Sequence, residues 1–193
     1  MFDEIINCSE LSGLLRQTCE ENGVCVTVCD ELIDNGLLRH DLIRILKIDT
    51  YYSSRIMHNP QASIDCLIII KTGDREFGLT LVELKGVSNA RGLTPKRIKP
   101  KFDTTVCEFL SGRFTDIFER SDFAISYFRL WLVANPYGYP PERYRRKIKD
   151  TVLGMYLTGK KSLQYEFRGH KAIIEPMPPG QQVCLPSQQK PNP

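Results

Sequence analysis

Three charged side chains stand out in the middle of the chain because they border two strongly apolar segments. Asp65 directly precedes the apolar run 66–70, while Glu83 and Lys85 lie at the end of a second apolar run, 79–85. Carboxylates are the ligands that Mg²⁺ takes from proteins, and an ammonium beside them can stabilise charge that develops on a phosphate. Residues of these types could support metal-assisted hydrolysis of a phosphodiester bond.

The elements around these residues predict that they converge. Residues 64–71 and 76–85 are rich in β-branched and apolar side chains and are separated by the turn signal Thr72-Gly73-Asp74, which predicts a β-hairpin. A turn centred on Asp74 places Asp65 opposite Glu83, and Lys85 points to the same face two positions further on. The alternative is a structural role, in which Glu83 and Lys85 form a buried ion pair and Asp65 ends a strand.

The arrangement of Asp65, a seventeen-residue gap and Glu83-Leu84-Lys85 resembles the motif of the PD-(D/E)XK, or restriction-endonuclease-like, nuclease superfamily. The resemblance covers about residues 38–134. It implies an α/β fold in which helices flank a mixed β-sheet, and Mg²⁺-dependent cleavage of nucleic acid, with Mn²⁺ able to substitute. It further implies that Asp65 and Glu83 are metal ligands and that Lys85 orients the attacking water and stabilises the transition state.

The sequence departs from that motif in two places. The residue before Asp65 is Ile64, where many members of the superfamily have proline, and Pro60 lies further upstream. Many members also carry an acid on the first core helix, for which Asp41 is the better candidate and Glu31 the second. One-metal and two-metal sites both remain open on these grounds.

The charge distribution favours a polyanionic partner. Residues 1–34 carry eight acids against one arginine, a balance of −7, so a net charge of +3 leaves +10 for the remainder. Lysine and arginine side chains that neutralise phosphates release counterions. The predicted nucleic-acid-binding residues form one run directly after the hairpin: Arg91, Lys96, Arg97, Lys99 and Lys101. A second basic run, 143–149, fits either a phosphate-binding surface or a solvated helix face.

Length and composition favour one domain. The 193 residues are 41% hydrophobic, enough for one core, and the longest apolar run is far shorter than the roughly 20 residues of a membrane span. We expect a single domain over 1–175 and, because six of twelve prolines follow residue 175, a flexible tail over 176–193. Helices are predicted over 38–46 and 143–157, and a central strand over 128–134.

The cysteines and the amino terminus indicate an intracellular protein. Seven cysteines without an export signal predict reduced, mostly buried thiols, and the spacing of Cys19, Cys25 and Cys29 matches no common zinc motif. We therefore expect a cytoplasmic protein that does not enter membranes. A homodimer would allow two sites to cut two strands, although no sequence feature establishes one.

These observations lead to one main functional hypothesis. The protein is expected to be a Mg²⁺-dependent nuclease and, within that class, an endodeoxyribonuclease. The alternative is a nucleic-acid-binding or regulatory module that keeps the fold and the charge but has no turnover. The sequence leaves open DNA versus RNA, duplex versus single strand and the recognition site.

Overall fold

A computed structural model describes residues 1–53, 60–87, 89–158 and 163–186. The strands are β1 Leu15–Arg16, β2 Cys19–Glu21, β3 Val24–Val28, β4 Ile33–Asp34, β5 Leu37–Leu38, β6 Ile43–Lys47, β7 Cys66–Gly73, β8 Glu76–Lys85, β9 Ala124–Ala134, β10 Gln164–Phe167, β11 His170–Met177 and β12 Gln181–Val183. The α-helices are α1 Phe2–Asn7, α2 Ser9–Ser12, α3 Ile48–Tyr51, α4 Pro95–Asp103, α5 Thr115–Phe118, α6 Pro141–Ile148 and α7 Val152–Thr158, and a π-helical segment, Thr104–Arg113, continues α4.

The protein is a mixed α/β structure around a seven-stranded sheet. The strand order is β1-β6-β7-β8-β9-β11-β10, and β8, β9 and β11 run parallel to one another while the other neighbours are antiparallel. Smaller sheets contain β12-β3-β2 and β4-β5. None of the helices in the described ranges is long and apolar enough to cross a bilayer.

The predicted hairpin forms the centre of the large sheet. Cys66 pairs with Val82 and the same register continues to Lys71 and Phe77, after which an irregularity at the turn pairs Gly73 with Glu76. Because a shift of one residue would turn every side chain to the opposite face, this irregularity lets the turn close while the apolar register is kept. The hairpin and the central strand β9 are confirmed.

Both faces of the sheet are covered. On one face Leu67, Leu79 and Leu81 pack with Phe102 of α4 and Phe109 of the π-helical segment. The opposite face packs against the three-stranded sheet, and its core residues include Cys66, Ile68, Val82, Trp131, Val24 and Val26. The hairpin is buried on both faces, which is why its sequence is apolar almost without alternation.

Two segments that the sequence predicts as helices have a different structure. The segment predicted as a helix over 38–46 contains the end of β5, a turn over 39–42 and the first four residues of β6. Ile43, Ile45 and Leu46 are buried on both faces of β6, and burial of both faces gives an apolar spacing that also fits a helix. The helix predicted over 143–157 is divided into α6 and α7, with Lys149, Asp150 and Thr151 between them.

The predicted flexible tail is wrong for the part of it that the structure describes. Pro176 and Met177 belong to β11, and β12 adds to the small sheet in parallel with β3. Val183 is 1% exposed, and Gly180 N donates a hydrogen bond to Cys25 O. Backbone hydrogen bonds to a strand edge order this proline-rich segment without many large apolar side chains. Residues 187–193 lie outside the described residues.

The cysteines also differ from the expected reduced state. Cys19 is disulfide-bonded to Cys66 and Cys29 to Cys184, with Cα separations of 6.1 and 5.2 Å. The first disulfide joins β2 to β7, so it fixes the β2–β3 hairpin against the strand that follows Asp65. The sequence spacing did not reveal these pairs because their members are 47 and 155 residues apart.

Candidate functional site

The structure brings the three predicted catalytic residues, Asp65, Glu83 and Lys85, to one end of the central hairpin. Asp65 precedes β7 and is 2% exposed, whereas Glu83, fully buried, and Lys85 lie at the end of β8. Asp65 N donates to Val82 O at 3.1 Å, and Leu84 N donates to Asp65 Oδ2 at 2.6 Å. Backbone pairing therefore holds the Asp65 carboxyl against β8, across from Glu83.

Glu83 is bound by two lysines. The Nζ atoms of Lys85 and Lys101 lie 2.6 and 2.7 Å from Glu83 Oε1, and Lys101 reaches the site from α4. Burial lowers the pKa of Lys85, but the charge and hydrogen bond of Glu83 outweigh burial, so that the net pKa of Lys85 is raised. Glu83 Oε2 is buried and has no hydrogen-bond partner among the described residues. The buried Glu83–Lys85 pair of the structural alternative is thus present.

Two further acids reach the site, and the sequence reading missed both. One carboxylate oxygen from each of Glu21, Asp49 and Asp65 lies within 4.8 Å of the other two. Lys47 Nζ lies 3.3 Å from Glu21 Oε2 and 3.5 Å from Asp49 Oδ2. Asp49 follows the end of β6, and Glu21 comes from β2, which the small sheet carries to the same edge.

One signal in the sequence could have located part of this arrangement. Asn22 and Gly23 have φ values of 49° and 76° and connect β2 to β3, and Asn-Gly is a strong hairpin signal. The signal predicts the β2–β3 hairpin that carries Glu21. It does not predict the docking of that hairpin beside Asp65, which depends on contacts between residues distant in sequence.

Crowding of negative charge changes the protonation of Asp65. Burial, the hydrogen bond with Glu21 and the charge of Glu83 together raise the pKa of Asp65 to about 8, while the same hydrogen bond lowers the pKa of Glu21. At neutral pH Asp65 is then mostly protonated and can donate to the Glu21 carboxylate. The remaining charges balance, three carboxylates against three lysines: Glu21, Asp49, Glu83, Lys47, Lys85 and Lys101.

The donor chemistry of the site fits a hard divalent cation. The clustered ligands Glu21, Asp49 and Asp65 are all carboxylates, which suit Mg²⁺ or Mn²⁺. Burial and the neighbouring acids Glu21 and Glu83 raise the pKa of Asp65, and a bound divalent cation would favour its ionised form instead. Of the two predicted metal ligands, Asp65 belongs to this cluster. Glu83 lies outside it, and its Oε1 contacts Lys85 and Lys101.

The predicted nucleic-acid-binding residues extend from the turn before α4 to near the end of that helix. Arg91 lies in a short 3₁₀ turn, Ala90–Gly92, and Lys96 and Arg97 are exposed in the first turn of α4. Their side chains form no ion pair within the described ranges. Lys99 instead pairs with Asp103 at 2.5 Å, and Lys101 belongs to the buried charge cluster. The structure thus divides the predicted run between an exposed surface and the site.

The two acids considered as additional ligands lie elsewhere. Asp41 precedes β6, at the opposite end of that strand from Asp49, and its 66% exposed side chain pairs with Arg39 at 3.0 Å. Glu31 lies in the 3₁₀ turn Asp30–Leu32, near the Cys29–Cys184 disulfide. Neither belongs to the cluster around Asp65, whose additional carboxylates come from β2 and from the end of β6.

Comparisons with known proteins give no relative for this chain: no family model, no curated protein and no solved structure matches it. The structure alone therefore defines the class of protein. It is a mixed α/β protein with a buried cluster of carboxylates and lysines at one end of its central hairpin.

Proposed function

We propose that the protein is a Mg²⁺-dependent nuclease with a restriction-endonuclease-like core, acting as an endodeoxyribonuclease. The observation that carries the proposal is the convergence of Asp65, Glu83 and Lys85 on a single end of a doubly buried hairpin. Charged side chains are rarely buried unless they are paired. Asp65 and Glu21 are two acids that share one proton, and a purely structural ion pair does not require them.

The carboxylates would hold the metal. Asp65, with Glu21 and Asp49, supplies clustered oxygen atoms, and the buried Glu83 Oε2 offers a further oxygen without a hydrogen-bond partner among the described residues. A bound Mg²⁺ would lower the pKa of a water ligand and stabilise negative charge on the phosphodiester. Asp65 must lose its proton before it can serve as a ligand, so metal affinity should depend on pH.

The two lysines would stabilise the reacting phosphate. Lys85 remains protonated because its pKa is raised, so it acts as a cation and hydrogen-bond donor rather than as a general base. Lys85 and Lys101 both contact Glu83, which fixes their ammonium groups beside the site before substrate arrives. Preorganised cations of this kind lower the energy of charge that develops on phosphate oxygens.

The exposed cations next to the site would hold the substrate. Arg91, Lys96 and Arg97 lie between the end of β8 and the second turn of α4, and Lys101 of the same helix enters the charge cluster. A phosphate backbone bound by these side chains would pass over the end of the hairpin. This placement supports nucleic acid as the polyanion.

One observation favours the alternative function. Glu83 already has two lysine partners, so the cluster is close to neutral without a metal. A non-catalytic nucleic-acid-binding module on the same fold would need only that structural cluster and the exposed cations. The two functions differ in turnover and in metal binding.

The deciding experiment incubates the purified protein with plasmid, linear duplex, single-stranded DNA and RNA, each in Mg²⁺, Mn²⁺ and EDTA. Cleavage of DNA in Mg²⁺ and Mn²⁺ but not in EDTA is expected. Replacing Asp65, Glu83 or Lys85 by alanine should lower the rate at least about 10²-fold, the scale of a lost transition-state stabiliser. Asp41→Ala is the matched control, because Asp41 is exposed at the far end of β6.

Circular dichroism and thermal melts should show that each variant is folded. Full activity in a folded Asp65→Ala protein would remove the proposed site. A wild-type protein that binds nucleic acid and cleaves none of the four substrates would establish the non-catalytic function instead.

A further inference from the structure

A cleft of about 790 Å³ lies between helix α6 and the segment 178–182, outside the charge cluster. Its walls carry three arginines against one acid, Glu142, and amide or hydroxyl groups complete the polar lining. The polar and charged residues of the lining are Thr27, Glu142, Arg143, Arg145, Arg146, Gln181 and Gln182. The balance of charge in the cleft is +2, which favours an anionic ligand.

The helix presents its cations outward. Tyr144 and Ile148 are buried, whereas the five basic residues that flank them are exposed: Arg143, Arg145, Arg146, Lys147 and Lys149. The Arg143 backbone N–H donates to Pro140 O, but the side chains of Arg143 and Arg146 form no hydrogen bond or ion pair with any described residue. Arg143 lies three and four residues before Arg146 and Lys147, so these like charges are neighbours on the helix surface and repel one another. A bound polyanion would relieve that repulsion.

The opposite wall of the cleft is held in place by backbone contacts. Gly180, with a φ of 77°, donates through its N–H to Cys25 O and accepts a hydrogen bond from Thr27 Oγ1 at 3.0 Å. Two prolines precede it, Pro178 and Pro179, which restrict the backbone further. The cleft is therefore a preformed feature of the fold.

The position of α6 connects this cleft with the proposed active site. Strands β8 and β9 run parallel and end together, with Lys85 paired to Ala134. Tyr144 Oη donates to Ala134 O at 2.5 Å, which anchors α6 directly beyond that strand end. The basic helices α4 and α6 therefore both leave the sheet at the end where Glu83 and Lys85 lie.

We infer that the α6 cleft binds the phosphate backbone of the substrate nucleic acid, at nucleotides away from the one that is cut. The inference rests on the proposed function. Arginine binds phosphate through two parallel N–H donors, and the glutamine amides can donate to phosphate or sugar oxygens. None of the residues that line the cleft is aromatic, so a base has no ring to stack on and the contacts should be largely independent of sequence.

The test uses the double variant Arg143→Gln/Arg146→Gln and a fluorescein-labelled 30-bp duplex, with binding measured by anisotropy in EDTA across a salt series. Lys71→Gln/Lys171→Gln is the control, because it removes two exposed or half-exposed lysines at the opposite end of the sheet. The arginine variant should bind about 10- to 100-fold more weakly at 50 mM salt. Its plot of log affinity against log salt should lose about two units of slope.

Cleavage separates this inference from the proposed function. At saturating DNA the arginine variant should cut at the wild-type rate, since the cleft does not hold the scissile phosphate. A salt slope equal to that of the lysine control would overturn the α6 assignment even if the protein is a nuclease. A wild-type protein that binds DNA through these arginines but does not cut it would leave the cleft in place and refute the nuclease. A wild-type protein that binds no nucleic acid would refute both.

Discussion

The Asp65→Asn substitution should stabilise the metal-free protein, and the gain should grow with pH. The carboxyl of Asp65 has an ordinary pKa of 3.8, and in the folded protein its pKa is raised to about 8. Between these values the native state holds a proton that the unfolded state has lost. Stability therefore falls as pH rises, by about 1.4 kcal/mol per pH unit for one proton, until the folded pKa is reached.

Asparagine should remove this dependence without removing the hydrogen bonds. Its Oδ1 can accept from Leu84 N as Asp65 does, and its amide can donate to Glu21, as a protonated Asp65 would. From pH 5 to pH 7 the advantage of the variant over the wild type should increase by about 3 kcal/mol. For a chain of 193 residues this corresponds to roughly 6 to 12 °C in relative melting temperature.

The assay is thermal and urea denaturation in EDTA at pH 5, 6 and 7. Asp41→Asn is the control, because Asp41 is exposed and its pKa is lowered by its hydrogen bond with Arg39, so its titration falls below this window. Glu83→Gln should act in the opposite direction and destabilise the protein, since it leaves Lys85 and Lys101 without their partner. The reasoning fails if Asp65→Asn is less stable than wild type at pH 7 and both proteins lose stability equally with pH.

Three further predictions concern the metal, a lysine and a disulfide. Mn²⁺ affinity, measured by calorimetry, should rise about tenfold per unit from pH 5 to pH 7 and level off near pH 8, because Asp65 must release its proton. An affinity independent of pH would show that Asp65 is not a ligand. Lys101→Met should lower the cleavage rate about tenfold or more at saturating DNA, because Lys101 contacts Glu83 in the site. Lys96→Met should change only binding, because Lys96 is exposed, and equal effects of the two substitutions would refute a role of Lys101 in the site. Cys19→Ser/Cys66→Ser should cost the oxidised protein about 4 kcal/mol in urea titrations, the value for a loop closed over 47 residues. A thiol reductant also opens Cys29–Cys184, so in reductant the difference between wild type and variant should disappear, and an unchanged midpoint in the oxidised variant would contradict the pairing.

The sequence by itself determined the central hairpin and the convergence of Asp65, Glu83 and Lys85. Strand periodicity is local: side chains alternate between faces, and a turn between two apolar runs leaves few registers that keep both runs buried. Charged residues at the ends of such strands must then lie near one another. The position of the basic run beside the hairpin could also be predicted, because α4 is the first α-helix after β8 along the chain.

Tertiary structure decided the rest of the site. Glu21, Asp49 and Lys101 come from β2, the end of β6 and α4, and only the docking of these elements brings their charges to Asp65 and Glu83. The apolar pattern of strand β6 also fits a helix, because burial on both faces removes the alternation that distinguishes a strand. The composition of strand β12 is typical of a flexible tail, because backbone hydrogen bonds to β3 order the strand and side-chain composition does not encode them.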